Sequence, residues 1–335
     1  MSWQKTQVVA CTEKQPVSAW ITNMSYASTG LIQATDYNAM AWGGTQGTYT
    51  ASPTNIAYVM GVGASAVGYG QDVTAINTVA AAGTVTATQW SGLLTTLNKA
   101  LGHQSGAGAQ LSVPTITAGG TITYAATVAT AVTTINTNAA LYAANGSTLT
   151  GANFTYAINS TTGGTFYTDR AVTFSSANAA RYFFNAGGRL SLVTSITGGT
   201  GSASNNSYTN LVNALGGTTI YNNSNSGRSG TGLTLALNNT GIGYRQIVTG
   251  APLYIQVNDT AAAYTGNYSG ISLFTTSTDT TNGSNGTQVI FRHWSVIADH
   301  SWDDTITCTL NTRVDIVFPE STYLTTNSWG TPSIT

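Results

Sequence analysis

From Ala100 to Thr168 the chain runs for 69 residues without an Asp, Glu, Lys or Arg, and Thr, Ala, Gly, Asn and Ser fill most of the interval. Soluble domains ordinarily carry about a quarter charged residues, whereas this whole chain carries 6%. Its surface is therefore covered by hydroxyls, amides and backbone rather than by ions. Patches of that kind meet copies of themselves without like-charge repulsion, which suits a protein that assembles.

The chain has 335 residues, more than one hydrophobic core normally serves, so at least two domains are expected. A hydrophobic fraction of 41% with 17 Tyr and 7 Trp supplies enough buriable surface to offset the entropy of ordering. The net charge of -1 gives no electrostatic footprint for nucleic acid, and no run of 18 apolar residues marks a membrane span. Cys11 and Cys308 lie near opposite ends, neither a disulfide framework nor a CxxC site, and read as free thiols.

Helical character concentrates before Gly146. From Thr88 onward, Trp90, Leu93, Leu94, Leu97 and Leu101 fall on one stripe, with Thr86 or Thr88 placed to cap the helix and Gly102 to end it. Thr35–Met40 reads as a short helix begun by a Thr cap. Pro53–Met60 reads as another, with Pro in its first turn and Gly61 and Gly63 closing it. Thr123–Ala144 places Val128, Val132, Ile135, Ala139 and Tyr142 on one helical face, although its Thr residues are poor helix formers.

After Gly146 short β-like runs take over: 165–172, 189–195, 232–238, 253–257, 270–275, 288–297, 304–310 and 313–318. Leu233, Leu235 and Leu237 alternate with small or polar residues, as half-buried strands do. Gly163-Gly164, Gly187-Gly188, Gly198-Gly199, Asn222-Asn223 and Asn282-Gly283 separate the runs, while 198–207 and 276–286 read as exposed loops. The expected fold is mainly β: a small helical N-terminal half followed by an antiparallel β-sandwich of about eight strands, jelly-roll-like. The expected division is 1–23, an extended segment; 24–146, a mixed helical and loop domain; and 147–335, the β-sandwich.

Candidate chemistry is sparse. His293, Asp299, His300, Asp303 and Asp304 have the ligand types for Zn, Mn or Fe but no HExxH-like spacing, and Asp303-Asp304 equally suits a turn. Asp299, Asp303, Asp315 and Glu320 could supply a carboxylate pair for glycoside hydrolysis. No Ser-His-Asp or Cys-His arrangement stands out. The glycine runs 61–68 and 227–232 lack the Lys of a phosphate-binding loop and the acid of a dinucleotide site. No enzyme activity, cofactor or metal is expected. Tyr254, Tyr264, Tyr268 and Trp302 lie near polar loops and are candidates for surface recognition of sugars as well as for core packing.

The segment Ala179-Ala-Arg-Tyr-Phe-Phe-Asn-Ala-Gly-Gly-Arg-Leu190 reads locally as a strand, a Gly-Gly turn and a second strand, with Tyr182 and Phe184 on one side and Phe183 on the other. Its residues Arg181, Tyr182, Phe183, Phe184, Asn185, Gly187 and Gly188 form an ARYFFN-small-GG signature. That signature resembles structural proteins of tailed bacteriophages, notably contractile-tailed phages of marine cyanobacteria. Asp36-Tyr-Asn, Gly61-Val-Gly, Gly68-Tyr-Gly-Gln71, Val85-Thr-Ala-Thr-Gln-Trp90, His103-Gln-Ser-Gly106 and Trp329-Gly-Thr-Pro332 extend the resemblance, in order, over most of the chain.

The resemblance implies a virion structural protein with no catalytic residues to carry over: a fibre, collar or baseplate-associated appendage. It further implies a homotrimer that contacts other proteins of the tail, neck or baseplate. Capsid decoration and receptor or glycan binding are the alternatives. Residues 1–16 lack the apolar core of a signal peptide, so assembly in a host cytoplasm is expected. Trp3 and Trp20, beside Lys5, Glu13 and Lys14, are the expected particle-docking anchors.

Overall fold

The computed structural model describes residues 33–43, 55–64, 66–112, 125–160, 163–215, 217–220, 253–259, 264–276, 287–298, 305–324 and 328–335. Four helices come first: α1 Ala34–Trp42, α2 Ile56–Met60, α3 Ala87–Ser105 and α4 Ala125–Thr137. Strands begin at Asn145. They are β1 Asn145–Thr150, β2 Phe154–Ser160, β3 Gly164–Thr173, β4 Arg189–Thr197, β5 Gly217–Ile220, β6 Leu253–Asn258, β7 Tyr268–Phe274, β8 Gln288–Ile297, β9 Ile306–Pro319 and β10 Ser333–Ile334. Two more helices interrupt them, α5 Ala177–Asn185 and α6 Ala203–Leu215.

α3 forms on the expected stripe. The Thr86 hydroxyl accepts the Gln89 N–H at 3.2 Å, and the Gln89 side chain accepts the Thr86 N–H at 2.9 Å, a complete capping box. The helix does not end at Gly102 but runs a further turn to Ser105. The glycine serves packing instead, since a Cβ there would lie 2.5 Å from the Tyr323 ring. α1 starts at Ala34 behind Gln33, whose side chain makes no cap bond, so the expected Thr cap is not used. α2 is capped by the Asn55 side chain, which accepts the Tyr58 N–H at 2.8 Å; Pro53 lies outside the described residues. α4 accommodates its Thr residues by turning hydroxyls onto its own backbone. Thr130, Thr133, Thr134 and Thr137 each donate to the carbonyl four residues back at 3.0–3.2 Å.

The strands form two five-stranded antiparallel sheets packed as a sandwich. The first has the order β1-β9-β4-β5, with β2 also on β9, along the edge that β1 occupies further up; the second has the order β10-β3-β8-β7-β6. Ten strands among the described residues replace the expected eight because β1, β2, β5 and β10 carry no expected run. Conversely, the expected pair 304–310 and 313–318 is one strand, β9, of 14 residues. The apparent break at Thr312 is an inward-facing residue, 1% exposed, whose hydroxyl accepts from Arg170 Nε at 2.9 Å. The expected loop 198–207 gives way to α6 at Ala203; the Ser202 hydroxyl accepts the Asn205 N–H, and the Asn205 side chain bonds the backbone of Thr307. The expected strand 232–238 lies outside the described residues, as does most of the expected loop 276–286.

The largest correction concerns the ARYFFN segment, which is the helix α5 rather than a hairpin strand. Ser176 caps it by accepting the Ala179 N–H at 3.0 Å, and Arg181 through Asn185 are all buried. Read by themselves, the three consecutive aromatics Tyr182, Phe183 and Phe184 do not distinguish a strand from a helix. Phe183 and Phe184 contact each other edge-on at 5.2 Å and both touch Phe174, so they do not lie on opposite sides of a strand. Gly187-Gly188 turns the chain from α5 into β4. A Cβ at Gly188 would stand 2.6 Å from the buried Phe183 ring.

One cluster of buried side chains runs from the helices into the sandwich, including Tyr37, Trp90, Leu97, Phe183, Phe291, Val314 and Trp329. A smaller one, around Tyr208, Val212, Ile306, Cys308 and Leu310, fills the end where α6 packs against strands of both sheets. Cys308 is a buried free thiol; Cys11 is outside the described residues. No helix among the described residues is long and apolar enough to cross a membrane.

Candidate functional site

The residues of the signature converge in the interior. Arg181 is fully buried, and its guanidinium donates to the carbonyls of Val67 at 2.9 Å and Val62 at 2.6 Å. Asn185 donates to the Gly68 carbonyl at 3.2 Å. The 61–71 loop, quoted separately in the resemblance, is thus bound to α5 by charge-assisted hydrogen bonds. His103 and Gln104 join the same centre: His103 meets the Tyr69 ring edge-on at 4.8 Å, and Gln104 donates to the Tyr69 hydroxyl at 2.9 Å. These sequence pieces, far apart in the chain, hold the helices to the sandwich.

His103 and Glu320 form a second buried link. His103 Nδ1 lies 2.9 Å from Glu320 Oε1, and Oε2 accepts the N–H groups of Thr322 and Tyr323. Burial acts to raise the Glu320 carboxyl, but hydrogen bonds from His103 and from the Tyr323 and Thr322 backbone, with the His103 charge, hold it below its ordinary value. Of the other candidate carboxylates, Asp315 pairs with Arg313 at 3.0 Å and accepts the Gly151 N–H. Asp299, His300, Asp303 and Asp304 lie outside the described residues. Among the described residues no three His, Cys, Asp or Glu side chains group as metal ligands.

A Ser–His contact that sequence reading missed lies inside the sandwich. Ser269 Oγ is 3.0 Å from His293 Nε2 and 2.7 Å from Ser295 Oγ, which reaches the Tyr208 hydroxyl at 3.5 Å. β7 and β8 bring these residues side by side through their register, which spacing along the chain does not reveal. His293 Nδ1 makes no hydrogen bond, and both members of the pair are buried. Burial pushes the imidazole down to about 4. The pair therefore holds a neutral histidine in the core rather than presenting a nucleophile to solvent.

The outer face of the second sheet is the accessible arrangement of aromatic and charged groups. Tyr167 on β3 pairs across with Trp294 on β8, and Tyr268 on β7 meets Trp294 edge-on at 5.1 Å. Two register positions along, on the same face, Arg292 grips Asp169 through two 2.7 Å bonds, and its guanidinium lies 4.3 Å over the Tyr167 ring and 5.2 Å from Phe274. Aromatic faces beside a fixed polar pair are what a sugar ring or a flat partner surface can use. Of the expected recognition residues, Tyr268 belongs here. Tyr264 is half-buried in the turn before β7, while the Tyr254 side chain, Trp302, Trp3 and Trp20 are not among those described. Tyr167 and Trp294 were missed because strand register alone makes them neighbours.

A shallow cleft of about 370 Å³ lies between α3 and α4, lined by Leu101, Ser105, Leu111, Thr127, Thr130 and Thr134 among others, with no ionisable group. Comparison with protein-family models, curated proteins and solved structures returned no match.

Proposed function

We propose that this chain is a structural component of a tailed-phage particle, a fibre, collar or baseplate-associated appendage that acts by self-assembly and surface contact. One observation carries the reading. The four large hydrophobic side chains exposed among the described residues, Leu141 at 45%, Leu149 at 39%, Tyr156 at 44% and Tyr167 at 58%, all fall within the charge-free stretch 100–168. Exposed apolar side chains on a stretch of chain without charges are suited to burial in an assembly. The interior placement of the signature is compatible with this reading, since the residues that carry the resemblance serve here to hold the fold. A homotrimer in contact with tail, neck or baseplate proteins is the arrangement proposed.

The test is localisation in intact particles by labelled electron microscopy, with copy number from quantitative mass spectrometry. Label on tail, neck or baseplate in multiples of three or six is the expected result. Hundreds of copies over the head would make it a decoration protein, and absence from particles would end the reading. The Tyr167–Trp294–Tyr268 face favours a second reading, glycan recognition at the host surface. It requires binding on a glycan array that Tyr167→Ala and Trp294→Ala abolish.

A further inference from the structure

Among the described residues, the charge-free stretch also forms a sheet edge with no strand paired beyond it. β1 and β2 share one side of β9, and no other described strand pairs with them on the far side. Free edges invite pairing, and folded proteins blunt them with short strands, bulges, Lys or Pro. The other edges here are blunted: β5 has four residues, β10 two, and β6 is irregular between Leu253 and Ile255. β2 is not. It runs seven residues in unbroken register with β9, and Asn145–Ser160 contains no charged residue and no Pro.

The side chains along this edge are unfinished in the same sense. Tyr156 pairs with Leu310 and Leu149 with Ile316, so both lie on the core-facing side of the first sheet. Leu310 and Ile316 are fully buried, yet Tyr156 and Leu149 stay substantially exposed. The apolar interior therefore continues past the last strand of a single chain.

We propose that a second copy of this chain covers the β2 edge, extending the first sheet across the contact and burying Leu149 and Tyr156. The inference rests on the self-assembly reading and names the surface that does it. A neutral Thr, Ser and Asn edge is its own electrostatic complement, whereas a charged partner would find nothing to pair with. Because the edge is its own complement, the contact is two-fold, β2 of one copy against β2 of the other. The added strand is held by main-chain hydrogen bonds, with Tyr156 and Leu149 packing beneath it.

The experiment is light scattering after size exclusion over about a hundredfold range of concentration, on the full chain and on Leu149→Lys/Tyr156→Lys. Thr95→Lys, on the exposed side of α3, is the control, and circular dichroism monitors folding. The expected result is an oligomer for the full chain and the control, lost to monomer in the double variant. Amide exchange in Phe154–Ser160 is expected to be faster in that monomer. An oligomer that survives both lysines overturns the edge assignment and leaves self-assembly standing. A full chain that is monomeric throughout overturns the contact between copies, and particle localisation then decides the structural role separately. Should the double variant not fold, Thr155→Lys on the opposite side of β2 is read by the same criteria.

Discussion

His293 makes folding sensitive to acid. Its ordinary value of 6.5 falls to about 4 in the folded protein because burial disfavours the charged ring. The unfolded chain therefore binds a proton that the folded chain refuses, so this contribution is fully present above about pH 6.5 and lost as pH falls towards 4. Integrated over that window it amounts to about 3 kcal/mol. Denaturant unfolding between pH 7 and 4 checks it: His293→Gln is expected to flatten this part of the profile while lowering stability at pH 7. Arg181 acts through its hydrogen bonds. Arg181→Ala leaves the part-buried Val62 and Val67 carbonyls without their donor and empties a fully buried position, and is expected to cost about 3 kcal/mol, measured as a lower unfolding midpoint. Neither role was legible in the sequence. His293 was grouped with four later residues as a candidate metal site, whereas its side chain in fact faces Ser269.

At the scale of elements, legibility followed exposure. α3 has one face in the core and one in water, so its stripe was readable and its start fell on Thr86. Thr86→Ala removes the capping box and is expected to lower stability by about 1 kcal/mol, seen as a small fall in melting temperature with unchanged helix content. α5 has no exposed residue, and its three consecutive aromatics read equally well as part of a strand. β1 and β2 failed for the opposite reason, since most of their residues are exposed and no alternation survives. β9 alternates from Ile306 to Val317, but Asn311 and Thr312 resemble a turn until Arg170 on the other sheet supplies the partner. The recognition face followed the same rule: Tyr268 could be nominated from its local surroundings, whereas Trp294 and Tyr167 could not.

The whole molecule rests on pairings between distant parts of the chain, and its mainly β class with helices ahead of a sandwich was legible from the switch in periodicity near Gly146. β9 is the partner of β1, β2 and β4 together, and Gly151 bonds to Asp315 across 164 residues. A chain ending before Ile306 is expected to retain helical signal but to lose the first sheet, seen as loss of β signal in circular dichroism and of the cooperative melt. The same dependence sets an order in time. While the ribosome is still making the chain, the segments that become β1, β2 and β4 emerge more than a hundred residues before the strand that joins them. Until β9 arrives, each nascent chain carries the uncharged β1 and β2 stretches without the strand they pair with, and neighbouring nascent chains on one message offer the nearest substitutes. Crowded synthesis is therefore the point at which this protein depends most on being kept apart from its copies.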